Sequence, residues 1–178
     1  MEIQAFLALD VPFMVVVYLA VLLFLHVPRA VIFASLLGGL VMGLINMLID
    51  LAAYYAHWWH YYTLNGLILH VPLPFYITPV LVYGSITYLL IWRFISGRNR
   101  WLALLLLIGV PIVGMLRDVV GAIAGTSYVM WESGFAAPMV ALMWIVMFGA
   151  GYLVFKRLAP VREDETVKKE QSKTNIIA

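Results

Sequence analysis

Five long apolar runs constrain this chain more than any other feature of its sequence. They cover about residues 11–27, 30–53, 74–95, 101–120 and 135–155. Each is close to the roughly 20 residues that a helix needs to cross the hydrocarbon of a bilayer, and Ile3–Leu9 extends the first. Across the 178 residues, 65% are apolar and 11% are charged, whereas a soluble domain carries about 45–50% and about 25%. No core of this length can bury so much apolar surface in water. The expected fold is therefore all-α: a polytopic transmembrane bundle of five spans over residues 1–155, with a charged, mostly disordered tail over 156–178. The length leaves no room for a second sizeable domain.

The breaks between runs set the topology. Pro28-Arg29 is a tight break, Tyr54–Asn65 a polar aromatic tract, Ser96–Arg100 a basic turn, and Gly121–Gly134 a loop with Gly, Ser and Thr. Five spans send successive breaks to alternate sides. Arg29, Arg93, Arg98, Arg100, Lys156, Arg157, Arg162, Lys168, Lys169 and Lys173 then share one side, and only Arg117 falls on the other. Such a bias marks the cytoplasmic side, so the N-terminus is expected outside and the tail inside. The N-terminus has Glu2 and Asp10 in place of a basic region, so the first run reads as a retained span. Trp92 and Trp101 would sit at the inner interface, and Trp58, Trp59 and Trp131 at the outer one. Ser35, Gly39 and Gly43 recur every four residues, a spacing that lets helices pack closely. Pro111 followed by Gly114 predicts a kink in the fourth span.

The same topology gathers the polar residues at one end. Outside the tail the acids are Glu2, Asp10, Asp50, Asp118 and Glu132, and all map to the outer half with His57, His60, His70 and Arg117. His26 alone lies at the inner end. Ionisable groups at membrane depth are costly and face bundle interiors or aqueous cavities, so a polar pocket is expected at the outer end. Asp50 is the leading catalytic candidate, with Asp118 and Glu132 as alternatives. If the second helix continues outward, Asn46, Asp50, Tyr54, His57 and Tyr61 form one stripe, with His60 one turn from His57. A carboxylic acid held in an apolar pocket can keep its proton and act as a general acid. Asp50 could equally cap the helix end. His57, His60, His70 and Asp50 are metal-ligand types, yet their spacing matches no ligand signature, so neither metal nor cofactor is assigned. Arg117-Asp118 could hold an anionic headgroup. Because adjacent helical residues do not face each other, the structural expectation is that this pair bridges the fourth helix to Asp50 or Glu132. The chain has no cysteine, which excludes disulfides and thiolate chemistry. No phosphate-binding glycine loop or hydrolase triad occurs.

An acid at Asp50, tryptophan at Trp58 or Trp59, then Gly66 and a Val71-Pro72 opening of the next span resemble the integral-membrane carotenoid-modifying proteins. These include the small lycopene cyclase domains and the carotenoid hydratase family. The resemblance covers about Asp50–Trp92. It departs from the cyclase domains at Pro72-Leu73-Pro74-Phe75, where those domains tend to carry acids. It implies a cofactor-independent enzyme of isoprenoid or carotenoid biosynthesis that protonates a carbon–carbon double bond. Asp50 would be the acid. Trp58, Trp59, Tyr61 and Tyr62 would stabilise the carbocation, with His57, His60 and Arg117 completing the substrate-binding set.

Two other readings accompany this one: a small-molecule carrier or transport subunit, and an accessory membrane protein without chemistry. Five spans with no internal repeat differ from the paired halves of common transporters, and the charges lie at one end rather than at the midplane. Expected partners are membrane lipid and an apolar small molecule, with no nucleic acid. The enzyme reading expects Asp50, His57 or His60, and Arg117 or Asp118 to converge around one outward-facing cavity, whereas a scaffold would leave them dispersed over separate faces.

Overall fold

The computed structural model describes residues 2–61, 68, 70–95, 97, 99–125 and 128–160, the side chain of residue 2 excepted. Tyr62, Gly66 and the tail from Val161 onward therefore lie outside the described residues. Among these residues five helices are long and apolar enough to cross a membrane: α1 (Ile3–Leu25), α2 (Arg29–Tyr55), α3 (Leu73–Ile95), α4 (Arg100–Ile123) and α5 (Ala136–Leu158). At 23 to 27 residues and about 1.5 Å per residue, each reaches across a bilayer. A short antiparallel ribbon, β1 (Trp59–Tyr61) and β2 (Val129–Trp131), joins the loops before α3 and α5.

α2 is the central element, packed against α5 and against the Pro79–Ile86 stretch of α3. The small-residue stripe explains the close approach. A Cβ on Gly84 of α3 would stand 2.6 Å from the Gly39 Cα of α2, so both must be glycine for the backbones to touch. One helical turn away, the buried Ser35 and Ser85 hydroxyls hydrogen-bond at 2.8 Å, and Ser85 reaches the Tyr18 hydroxyl of α1 at 3.4 Å. An interhelical bond of this kind contributes about 0.6–2 kcal/mol in a membrane. The stripe thus serves packing within the chain. Outward faces carry Phe13, Leu23 and Phe24 on α1 and Leu104, Ile108 and Val113 on α4, all exposed and suited to lipid.

Two helices change their winding where the polar end begins. α1 passes through a π-helical turn at Phe6–Asp10 before its regular stretch Val11–Leu25. α3 starts as a 3₁₀ turn at Leu73–Tyr76, becomes π-helical over Pro79–Ile86, and is α-helical from Thr87. Pro79 contributes no N–H, which disrupts the regular ladder there. A π turn is wider than an α turn and recurs at functional sites. α4 runs as one helix through Pro111.

The second helix does not continue outward as the stripe requires. It ends at Tyr55, and His57 adopts φ 54°, the left-handed conformation of a helix C-cap. The Trp58 amide donates to Ala53 O at 3.0 Å and the His57 amide to Tyr54 O at 3.3 Å. This reversal turns the chain back over the helix end. Tyr61 consequently meets Asp50 from a strand rather than from a shared helical face.

Candidate functional site

A partly open cavity of about 780 Å³ lies between α1, α2, α3, α4, α5 and the ribbon, at the end of the bundle expected to face outward. Among the described residues, nine aromatic rings contribute to its wall, Phe6, Phe75, Tyr83, Tyr128 and Trp131 included. Both π-helical segments face it, through Phe6 and Asp10 of α1 and Pro79 and Tyr83 of α3.

Asp50 forms its floor and is 4% exposed. Three donors from three different segments hold its carboxyl. The Trp59 indole N–H donates to Oδ1 at 3.0 Å, the Tyr61 hydroxyl to Oδ2 at 2.9 Å, and the Tyr76 hydroxyl to Oδ2 at 2.7 Å. A buried carboxyl without partners would be too costly to keep, and here every donor is neutral. Trp59, Tyr61 and Tyr76 all reach the cavity wall as well. Burial first, and then the neighbouring Asp50 carboxyl, push the Tyr61 hydroxyl well above the usual phenol range, so Tyr61 stays protonated and able to donate.

A second polar cluster stands on α4 and α5. The Arg117 guanidinium donates to Asp118 Oδ1 through Nε at 2.9 Å and Nη2 at 2.6 Å, and to the Tyr83 hydroxyl through Nη1 at 2.8 Å. The Trp144 indole N–H donates to Asp118 Oδ2 at 2.7 Å. Arg117 also lies 5.2 Å from the Tyr83 ring centroid and 5.9 Å from that of Trp144, within cation–π range. Arg117 and Asp118 thus pair with each other and do not bridge α4 to Asp50 or Glu132. The long arginine side chain folds back far enough to meet a carboxylate that its own backbone position does not face.

His57, His60 and Glu132 form a third group outside the cavity. Glu132 accepts from His57 Nδ1 at 3.1 Å and, through its other oxygen, from His60 Nδ1. The Glu132 amide donates to Trp58 O at 3.0 Å, and Trp59 pairs with Trp131 in the ribbon. The group clasps the turn after α2 to the loop before α5. Hydrogen bonds from His60 and then His57 hold the Glu132 carboxyl below its ordinary range. His70 stacks on Tyr54 with ring centroids 4.0 Å apart. The histidines therefore do not converge with Asp50, and among the described residues no group of three or more His, Asp or Glu side chains is arranged to hold a metal ion.

The sequence-derived residues divide accordingly. Asp50, Asp118, Arg117, Trp59 and Tyr61 line the cavity, while Glu132, His57 and His60 form the clasp. Trp58 packs half-buried against the core, and Trp59 is 2% exposed, inside the protein rather than at an interfacial belt. Sequence reasoning missed Tyr76, Tyr83 and Trp144. Tyr76 and Tyr83 lie seven residues apart, about two helical turns, on the same span. That spacing places a pair of polar-tipped rings on one face, and it was the available signal. The chain matches no family model, no curated protein and no solved structure.

Proposed function

We propose that this chain is an integral membrane enzyme that protonates a carbon–carbon double bond of a lipid-soluble isoprenoid, with carotenoids as the substrate class of first choice. The observation that carries the reading is the Asp50 cluster: a buried carboxyl on a cavity wall, hydrogen-bonded to two tyrosines that line the same cavity. Tyrosine hydroxyls both donate and accept. When Asp50 holds the proton, it donates to one tyrosine oxygen, and that tyrosine turns its own O–H towards the cavity.

The step is a proton transfer. The tyrosine O–H bond breaks, a C–H bond forms, and the π electrons of the double bond supply its electron pair. Asp50 passes its proton to the tyrosine, and a carbocation and a carboxylate remain. Trp59, Tyr61 and Tyr76 are already positioned to receive that carboxylate, so little reorganisation is needed. The faces of Phe6, Phe75 and Tyr83 would stabilise the cation. A second double bond or a water then attacks, and loss of a proton returns the cycle to Asp50. No electrons are gained or lost, so no redox cofactor is consumed. The five apolar helices are compatible with residence in the membrane, where such a substrate is dissolved.

Lipid extracts from cells making an isoprenoid polyene, with and without this chain, test the reading by mass spectrometry. The expected result is a new product isomeric with the polyene or heavier by one water, absent for Asp50→Asn although the variant inserts at wild-type level. Identical extracts for wild type and variant would overturn it.

A further inference from the structure

The charge complement of the cavity is lopsided. Among the described residues, Asp10, Asp50 and Asp118 line it against a single cation, Arg117. Arg117 is already committed to Asp118 through two hydrogen bonds. Among the described residues neither Asp50 nor Asp10 forms an ion pair, and the donors on Asp50 are two phenols and an indole. A buried carboxyl with no resident counter-cation takes its positive charge from outside, as a proton or as a cationic ligand. Nine aromatic rings surround the remaining space, and aromatic faces lined up around a cavity recognise soft, weakly hydrated cations. At about 780 Å³ the space is in the range that accepts drug-sized molecules.

We infer that this cavity is a binding site for a lipophilic organic monocation, an amine or quaternary ammonium or phosphonium bearing apolar groups, and that this cation competes with a proton for Asp50. The inference rests on the reading of Asp50 as the proton-holding group but on no chemical step. The cation sits among the rings of Phe6, Phe75 and Tyr83, with its charge directed to the floor at Asp50. Among the described residues, the charged and titratable groups that line the cavity with Asp50 are Asp10 from α1, Tyr61 from β1, Tyr76 and Tyr83 from α3, Arg117 and Asp118 from α4, and Tyr128 ahead of β2, while the lining residues of α5 do not titrate. The Arg117–Asp118 pair adds no net charge, which leaves Asp50 as the buried group whose charge changes.

The test is equilibrium dialysis of the full chain in a neutral detergent, with tetraphenylphosphonium as probe and triphenylphosphine oxide as its uncharged counterpart. Expected are saturable binding of the cation, no saturable binding of the oxide, and an apparent Kd that weakens by about tenfold per pH unit below the titration of the site. Asp50→Asn should weaken binding by roughly thirtyfold or more, the cost of removing one member of a buried charge pair, while Asp50→Glu retains it. The pH series uses the unaltered protein, so it decides the matter even if a variant misfolds. Equal binding of probe and oxide, pH-independent binding, or no binding each overturns the inference. Product formation without cation binding refutes only the inference, and cation binding with unchanged lipid extracts refutes only the enzyme.

Discussion

Replacing Asp50 separates its role as a hydrogen-bond hub from its role as an acid. Asp50→Ala removes the acceptor for three donors at once. The Tyr61 and Tyr76 hydroxyls line the cavity and can find water there. The Trp59 indole, 2% exposed, is the most deeply buried of the three donors, and an orphaned buried donor costs about 1–3 kcal/mol. The cavity left by the shorter side chain adds to this, so Asp50→Ala should lose about 2–4 kcal/mol. Asn is nearly isosteric with Asp. Its carbonyl can accept from Trp59, and its amide can donate to tyrosine oxygens, so Asp50→Asn should lose less than about 1 kcal/mol. The assay is reversible unfolding in detergent, followed by tryptophan fluorescence, with Trp59→Phe completing a double-mutant cycle. The Asp50→Ala and Trp59→Phe changes should couple by about 1–2 kcal/mol, because they share one bond. Equal destabilisation by Ala and Asn, or a coupling near zero, would refute the picture of Asp50 as a hub.

Three further outcomes follow from neighbouring geometry. A Cβ on Gly114 would collide with the Trp144 ring, so Gly114→Ala should displace that ring, break its bond to Asp118 and lose about 1–3 kcal/mol, read as a changed Trp144 emission and a lower melting temperature. At His57, whose φ is 54°, substitution by Val should cost about 1–2 kcal/mol for the left-handed backbone, whereas Gly relieves the backbone and loses only the exposed bond to Glu132, so it should melt closer to wild type than Val does. The clasp should respond to acid: because the folded-state Glu132 carboxyl lies below its ordinary value of 4.5, its contribution is present above that value and is lost as pH falls through the lowered one. Glu132→Gln should flatten that acid limb of the stability profile, and an unchanged limb would assign it to another group.

Much of the architecture was legible because membrane solvation leaves a strong linear signal. An apolar run of about 20 residues is a helix wherever it lies in lipid, and the five runs became five helices, the first of which starts at Ile3 rather than near residue 11. The Ser35, Gly39 and Gly43 spacing likewise reported packing, since small side chains let backbones meet. Asp50 stood out as an acid beside an aromatic tract. The helical stripe drawn through it to His57 and Tyr61 failed, because the local signal could not register that His57 would take a left-handed cap in place of the usual glycine.

The sequence alone therefore determined the class of fold, the number of spans and the gathering of acids and histidines at one end. These follow from the match between local composition and solvent, which needs no knowledge of neighbours. Tertiary structure decided how that end divides. Asp50 was joined to Tyr61 and Tyr76, Asp118 to Arg117 and Trp144, and Glu132 to His57 and His60. Apart from the adjacent Arg117 and Asp118, these partners lie 11 to 75 residues apart and are chosen by the turn after α2, the π-helical stretches and the packing of helices. Those choices depend on backbone direction in space, which no periodicity along the chain records.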